Sequence, residues 1–134
     1  MYKPMQKTLL ILLLVYGVAS LIHFIHNAEF LTDYPNLPDS WTRVGVYSVW
    51  IGMTLIGVIG WVLVSRNYHL SGLLLLALYA ALGLDSLGHY IVAPFSSHTL
   101  AMNSTILLEV TAATVVLIEV ARQMMNNWGQ SKNY

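Results

Sequence analysis

Histidine and carboxylate residues occur in closely spaced pairs in this sequence. His23 and His26 are three positions apart, and Asp85 and His89 are four positions apart. On an α-helix, residues at either spacing lie on the same face. Each pair therefore predicts a helix face with two side chains that are able to bind one ion or to exchange one proton.

A divalent transition metal is the first chemistry that these residue types indicate. Imidazole and carboxylate groups bind zinc, iron and copper(II), and four-helix bundles build metal sites from such pairs on facing helices. The sequence contains no cysteine, which excludes thiolate ligands, disulfides and cysteine nucleophiles. We predict a metal centre in which Glu109 acts as a general base. The predicted ligands are His23, His26, Asp85, His89 and His98.

The composition places these residues in a membrane protein. Hydrophobic residues make up 57% of the 134-residue chain, charged residues only 9%, and the mean hydropathy is +0.64. Soluble domains carry roughly 25% charged residues, so this surface is expected to face the lipid bilayer. The formal net charge is zero and no basic tract is present, so nucleic acid is not an expected partner.

Four apolar stretches are each long enough to cross about 30 Å of hydrocarbon. Because short connections join antiparallel neighbours, they predict an all-α, up-down-up-down four-helix bundle, a single domain over residues 1–134. Strands are not expected, since an open sheet edge is unsatisfied in lipid. The first stretch is predicted to be a retained helix and not a cleaved signal peptide. The stretches run from about Thr8 to Phe30, Val44 to Ser65, Leu70 to Ala93 and His98 to Val120.

The connections between the stretches contain residues that end and begin helices. Asp39 or Ser40 is predicted to cap the second helix. Pro94 is predicted to end the third helix, and Ser96 or Ser97 to cap the fourth. The polar run 66–69 is predicted to form a tight hairpin between the second and third helices.

The distribution of positive charges predicts the orientation of the bundle. Cytoplasmic loops of membrane proteins are enriched in lysine and arginine. With the N-terminus inside, Arg43 alone lies on the outer side, and the inner side carries Lys3, Lys7, Arg66, Arg122 and Lys132. Both termini are therefore predicted to be cytoplasmic. The expected location is a bacterial plasma membrane, with the first and third loops facing the periplasm or the exterior.

This frame predicts that Asp85 and all the histidines except His69 lie close to the outer face. His69 belongs to the cytoplasmic hairpin and is excluded from the site. Glu109 is expected on the stripe His98, Met102, Thr105 and Glu109, about three turns deeper. A carboxylate at the bilayer centre costs at least about 2.5–3.5 kcal/mol, so it needs a compensating partner. Glu119 has such a partner in Arg122, three residues later.

Three functions fit this pattern. The first, slightly favoured because the polar groups exceed what holding an ion requires, is a metalloenzyme, an oxidoreductase or hydrolase acting on a small or lipophilic substrate. The second is a non-catalytic metal or cofactor protein, either a carrier or an accessory subunit of a larger membrane complex. The third is a proton-relay element, which predicts a homo-oligomer because one four-helix chain is small for a transporter. A single haem held by histidines of the first and third helices also remains open.

Overall fold

The computed structural model describes the backbone of residues 3–131 and the side chains of residues 5–127. The side chain of Lys3 and the whole of Lys132, both used to predict orientation, lie outside this description. The described chain is all-helical. Its α-helices are α1 (Lys3–Glu29), α2 (Arg43–Ser65), α3 (His69–Gly83), α4 (His89–Val92) and α5 (Leu100–Ser131). Its 3₁₀ turns are Leu31–Asp33, Leu84–Gly88 and Phe95–Ser97.

Four helical segments are long and apolar enough to span a membrane. They are Met5–Glu29, Arg43–Ser65, His69–Val92 and Leu100–Asn127. The third combines α3, a 3₁₀ turn and α4. The fourth continues past Val120, as expected from a helical tail predicted toward Asn127. Large apolar side chains on the outside are exposed, for example Leu14 at 61% and Ile118 at 63%. Soluble monomers rarely expose continuous apolar surface, so these features are consistent with a membrane protein.

The four long helices pack in the order α1, α2, α3, α5 around the bundle. α1 contacts α2 and α5, and α3 contacts the same two helices. Small residues bring α2 and α3 close together. A Cβ atom on Gly72 would lie only 2.7 Å from the backbone nitrogen of Val64 and 2.8 Å from the carbonyl oxygen of Gly60. The main core cluster includes Leu9, Tyr16, Leu76, Tyr79 and Val116.

The start of α2 differs from the prediction. Thr42 caps this helix, since its hydroxyl accepts a hydrogen bond from the Gly45 backbone N–H at 3.0 Å. The predicted caps Asp39 and Ser40 lie instead in the turn 38–41, which is closed by a backbone hydrogen bond between its end residues. Because the residues of this turn are not free to adopt the extended backbone of a helix cap, α2 begins only after the turn.

The start of α5 also differs from the prediction. The helix begins at Leu100, and His98, predicted to open it, precedes it with an extended backbone. Thr99 supplies the capping interaction, accepting a hydrogen bond from the Met102 backbone N–H at 3.2 Å. The two serines predicted as caps belong instead to the 3₁₀ turn Phe95–Ser97.

The third candidate span is interrupted by the 3₁₀ turn Leu84–Gly88. A 3₁₀ helix advances about 120° per residue, so residues three apart lie on one face and residues four apart do not. Ser86 and His89 consequently point to the same side, and Ser86 is buried whereas Asp85 is exposed. The expectation of a continuous α-helix that aligns Asp85 with His89 is therefore wrong.

Two connections meet at one end of the bundle, which we call the site end. Residues 30–42 and 93–99 form these connections. The Asn36 side-chain amide donates a hydrogen bond to the Val92 carbonyl oxygen at 3.0 Å. The Tyr34 ring packs on the His89 ring, with centroids 4.8 Å apart. These contacts position the first connection over the end of the third span.

Candidate functional site

Polar side chains from α1, the third span and α5 converge inside the bundle below the site end. Glu109 on α5 is completely buried, and His23 on α1 is only 2% exposed. His98 is buried as well, and His89 is half-buried between them. We call this set the polar chain; its members are Glu109, Ser86, His23, His89 and His98.

Glu109 forms the deep end of the polar chain. The Ser86 hydroxyl donates a hydrogen bond to its Oε2 atom. The Nε2 atom of His23 lies 3.8 Å from the same oxygen. The Ser20 hydroxyl also faces this carboxyl group. A buried carboxyl group next to an imidazole is a typical arrangement for acid–base chemistry.

The contacts of His23 determine where its proton lies. The Thr105 hydroxyl donates to the Met102 carbonyl oxygen at 3.0 Å, which uses its single proton. It therefore accepts a hydrogen bond from His23 Nδ1, which lies 3.3 Å away. Neutral His23 then presents a free lone pair on Nε2 to Glu109. One proton is thus available to this pair, either on the carboxyl group or on the imidazole.

His89 and His98 have complementary free atoms. The Asn27 amide donates to His89 Nε2 at 2.9 Å, so neutral His89 carries its proton on Nδ1. His98 Nδ1 donates to the Pro94 carbonyl oxygen at 3.1 Å, which makes Nε2 an acceptor. His89 Nδ1 and His98 Nε2 are both buried and have no hydrogen-bond partner within the described residues. His89 thus carries a donor and His98 an acceptor without a hydrogen-bond partner, on rings whose centroids are 6.1 Å apart.

His26 lies beside the polar chain and not within it. Its Nδ1 atom is 2.9 Å from the Tyr34 hydroxyl. Burial raises the pKa of Tyr34 to about 12, so this hydroxyl stays protonated at neutral pH. The pair closes the bundle at the site end, because the Tyr34 ring contacts both His26 and His89.

A pocket of about 310 Å³ opens beside the polar chain; we call it the site pocket. Its apolar wall is formed by α2 and the first connection, with Trp41, Val46 and Met53 among its residues. The opposite wall is polar and includes His23, Asn27, Asp85, Ser86 and His89. Exposed Asp85 therefore reaches the pocket, whereas Glu109 lies behind it.

The described residues do not bring together a set of side chains that could bind the predicted metal ion. Among the described residues, no three or more histidine, aspartate or glutamate side chains are grouped so that they could hold one ion. The candidates form a chain: the His23 and His89 centroids are 5.5 Å apart, and His26 is bonded to Tyr34. Ligand atoms must converge to about 2.0–2.2 Å from a common metal. The residues as placed do not fit a metal.

The second intramembrane carboxylate, Glu119, has complete partners. Arg122, the predicted partner, donates to both of its oxygens at 2.9 and 3.0 Å. Gln123 adds a further hydrogen bond at 2.7 Å. Between Glu109 and Glu119 the buried face of α5 is apolar, with Ala113 and Val116 completely buried. Glu119 is thus satisfied and is separated from the polar chain by core.

Sequence reasoning missed two residues of this region. Ser86 was not singled out because the spacing rule for an α-helix pairs His89 with Asp85. The only local signals for the 3₁₀ turn are Gly83, which precedes it, and Gly88, which is its last residue. Tyr34 was missed because nothing local in the sequence indicates its contact with His26.

No family model, curated protein or solved structure matches this chain. The fold and the site define it only as an all-helical protein with four candidate membrane spans and a buried histidine–carboxylate chain. Its function is therefore inferred from the geometry of that chain.

Proposed function

We propose that this protein is an integral membrane protein that transfers protons between one membrane face and Glu109. The observation that carries the proposal is the buried pair His23–Glu109, whose Nε2 and Oε2 atoms are 3.8 Å apart. Buried ionisable groups within membrane spans are costly and are functional candidates for that reason. Proton transfer needs a donor and an acceptor in reach, directly or through one water.

The rest of the polar chain supports a path toward the site end. A single water between His89 Nδ1 and His98 Nε2 would satisfy both atoms and join the two rings. The His23 ring lies next to His89, with ring centroids 5.5 Å apart. His89 Nε2 is bonded to Asn27 and His23 Nδ1 to Thr105, so proton transfer between the two rings requires one ring to rotate. The path thus leads from the connection that contains His98 to the buried carboxyl group.

The path ends at Glu109 and does not cross the bundle. Ala113, Val116 and Val120 fill the buried face of α5 on the other side, and they offer no group that accepts a proton. Glu119 is held by Arg122 and Gln123. The residues of α5 therefore favour loading and release of the proton from the site end.

We further infer that the helices run up-down-up-down, that both termini are cytoplasmic, and that the site end faces the exterior or periplasm. The positive charges support this orientation, because Lys7, Arg66 and Arg122 belong to one side and Arg43 to the other. If Glu109 binds and releases its proton on one side, the proton serves a partner. This partner is either a second copy of this chain or a larger membrane complex.

Infrared spectroscopy of the purified, lipid-reconstituted protein tests the relay. A pH step is expected to change a carboxyl band that is absent in Glu109→Gln. His23→Leu is expected to slow this change roughly 100-fold, the usual effect of losing a positioned acid–base group. Glu119→Gln is the control, because its carboxyl group is paired outside the path, and it should leave the band and its rate unchanged.

Two results would reject the relay. One is a Glu109 band that does not respond to pH, and the other is a response of normal speed in His23→Leu. Elemental analysis of the same samples examines the metal hypothesis. A stoichiometric metal in the wild type that is lost in His26→Ala and Asp85→Ala would replace the relay by a metal centre, whereas its absence leaves the relay intact.

A further inference from the structure

Asp85 is a carboxylate inside the third candidate span that has no cation beside it. Glu119 is paired with Arg122, and Glu109 accepts a hydrogen bond from Ser86. Asp85, in contrast, is exposed and takes part in none of the ion pairs among the described residues. A carboxylate within a span is costly unless its charge is offset. The charge of Asp85 is therefore open to a positively charged ligand.

The 3₁₀ turn Leu84–Gly88 directs Asp85 into the site pocket. Residues three apart share one face of a 3₁₀ helix, and Asp85 and Gly88 both line the pocket. Two aromatic residues, Phe24 and Trp41, line it as well. A cation is attracted to the face of an aromatic ring. The pocket thus combines one negative charge with aromatic and apolar surface.

The charges around the site pocket favour a cation over an anion. The pocket lining contains no lysine or arginine. Arg43, at the start of α2, is paired with Glu29 at 2.7 Å. The first connection adds the exposed carboxylates Asp33 and Asp39. The site end therefore carries more negative than positive charge, and such a field draws cations toward it.

Asn27 adds an unpaired hydrogen-bond acceptor to the polar wall of the site pocket. Its side chain lines the pocket and is only 5% exposed. Its amide group donates to His89 Nε2, whereas its Oδ1 atom has no hydrogen-bond partner within the described residues. An unpaired acceptor is satisfied by an N–H group, and an ammonium ion carries up to three of them. The polar wall thus favours a ligand that donates hydrogen bonds.

The size and the walls of the site pocket favour an organic cation over a metal ion. Its volume of about 310 Å³ is at the lower end of the range for small-molecule sites. A metal ion needs several converging ligands, and the described residues offer no such group. An organic ammonium ion needs one carboxylate for its charge and apolar surface for its carbon skeleton. Its charge is permanent at neutral pH, since the pKa of an alkylammonium group such as that of lysine is about 10.4.

We propose that the site pocket binds a small organic ammonium ion with an apolar body. The ammonium group lies at Asp85, and the body packs against Trp41 and the apolar wall formed by α2. This proposal does not rest on proton transfer by Glu109, since it depends on the charge, polarity and size of the pocket.

A fluorine NMR titration of the purified full-length protein in phosphatidylcholine nanodiscs tests the proposal, with binding to protein-free nanodiscs subtracted. The probes are para-fluorophenethylamine, its neutral counterpart para-fluorophenethyl alcohol and the anion para-fluorohydrocinnamate. The amine is expected to bind saturably and at least tenfold more tightly than the alcohol, because only the amine carries a charge opposite to that of Asp85. The anion is expected to bind most weakly.

Two variants with the same change of charge locate the ammonium group. Asp85→Asn removes the charge and keeps the size of the side chain. It is expected to weaken binding of the amine about tenfold and to leave binding of the alcohol unchanged. Asp33→Asn is the matched control, because Asp33 is exposed at the same end of the bundle and does not line the pocket. It should change binding of the amine by less than about threefold, since exposed charges at a distance are screened.

Gly88→Leu tests the pocket itself. The backbone of Gly88 is helical, with φ of −55°, and a Cβ placed there would meet nothing within 4 Å. The variant is therefore expected to fold normally, as checked by circular dichroism. Because Gly88 shares the face of Asp85, the added side chain is expected to fill the pocket and abolish saturable binding. Gly52→Leu is the control, since its Cβ also meets nothing within 4 Å and it lies outside the pocket lining.

Several results would overturn the proposal. They are the absence of saturable amine binding, equal binding of amine and alcohol, a preference for the amine that persists in Asp85→Asn, and equal losses in Asp85→Asn and Asp33→Asn. Normal binding of the amine by folded Gly88→Leu would overturn it as well. None of these titrations measures the proton of Glu109, so failure of the relay and failure of this site are distinguishable.

Discussion

At the scale of single residues, the two buried carboxylates on α5 show how partners determine role. Glu119 receives hydrogen bonds from Arg122 and Gln123, so its charge is offset locally. Glu109 has no such cation, and its neighbours Ser86 and His23 are a hydroxyl and an imidazole. A carboxyl group without a permanent cation is able to gain and lose a proton, whereas one held by an arginine is not.

Ser86 is expected to be important for stability, because its hydroxyl is a donor to buried Glu109. Ser86→Ala leaves a buried carboxyl oxygen without this donor, which costs about 1–3 kcal/mol. The measurement is the free energy of unfolding in detergent. Ser48→Ala is the control, since the exposed Ser48 hydroxyl bonds only to its own helix at Val44, and it should change the free energy by less than about 0.5 kcal/mol. Equal effects in the two variants would contradict this assignment.

At the scale of helices, the 3₁₀ turn Leu84–Gly88 selects the residues that face the interior. Its three-residue period directs Ser86 and His89 toward the buried polar chain, whereas Asp85 is exposed and reaches only the site pocket. A continuous α-helix over the same residues would align Asp85 with His89 instead. The 3₁₀ turn therefore keeps the Asp85 carboxyl group out of the polar chain, in which Glu109 is the carboxyl group.

The close contact of α2 and α3 depends on Gly72. Its added Cβ would be 2.7 Å from the Val64 backbone nitrogen, and backbone atoms are not able to move aside cheaply. Gly72→Ala is therefore expected to destabilise the protein by about 1–3 kcal/mol, measured by denaturant unfolding in detergent. Gly52→Ala is the control, because its Cβ would meet nothing within 4 Å; it should be neutral or slightly stabilising. A neutral Gly72→Ala would show that the helices separate easily here.

At the scale of the whole molecule, the two halves of the bundle differ in polarity. The half near the site end contains the polar chain and the site pocket. The other half has an apolar core that includes Leu9, Val116 and Val120, with the Glu119–Arg122 pair at its edge. This asymmetry means that the orientation in the membrane decides which compartment reaches Glu109.

Single-cysteine labelling tests the proposed orientation. Because the sequence contains no cysteine, each introduced cysteine is the only thiol that is able to react. Ser40→Cys, in the first connection, is expected to react with an impermeant maleimide added to intact cells. Ser65→Cys, at the end of α2, is expected to react only after permeabilisation. This end of the bundle carries most of the positive charges, which keep it in the cytoplasm. The reverse pattern would reject the orientation, and labelling of both sites in intact cells would reject the membrane-spanning arrangement of α2.

The sequence by itself determined the four spans, since length and hydropathy are local properties that lipid selects directly. It also determined the Glu119–Arg122 pair and the stripe of Met102, Thr105 and Glu109, because both follow from the regular period of α5. His98, predicted on the same stripe, lies before the helix begins. Only the tertiary structure decided that Ser86 replaces Asp85, that His26 bonds to Tyr34, and that the histidines form a chain. These depend on a local change of helical period and on distances between helices, which no spacing along one helix contains.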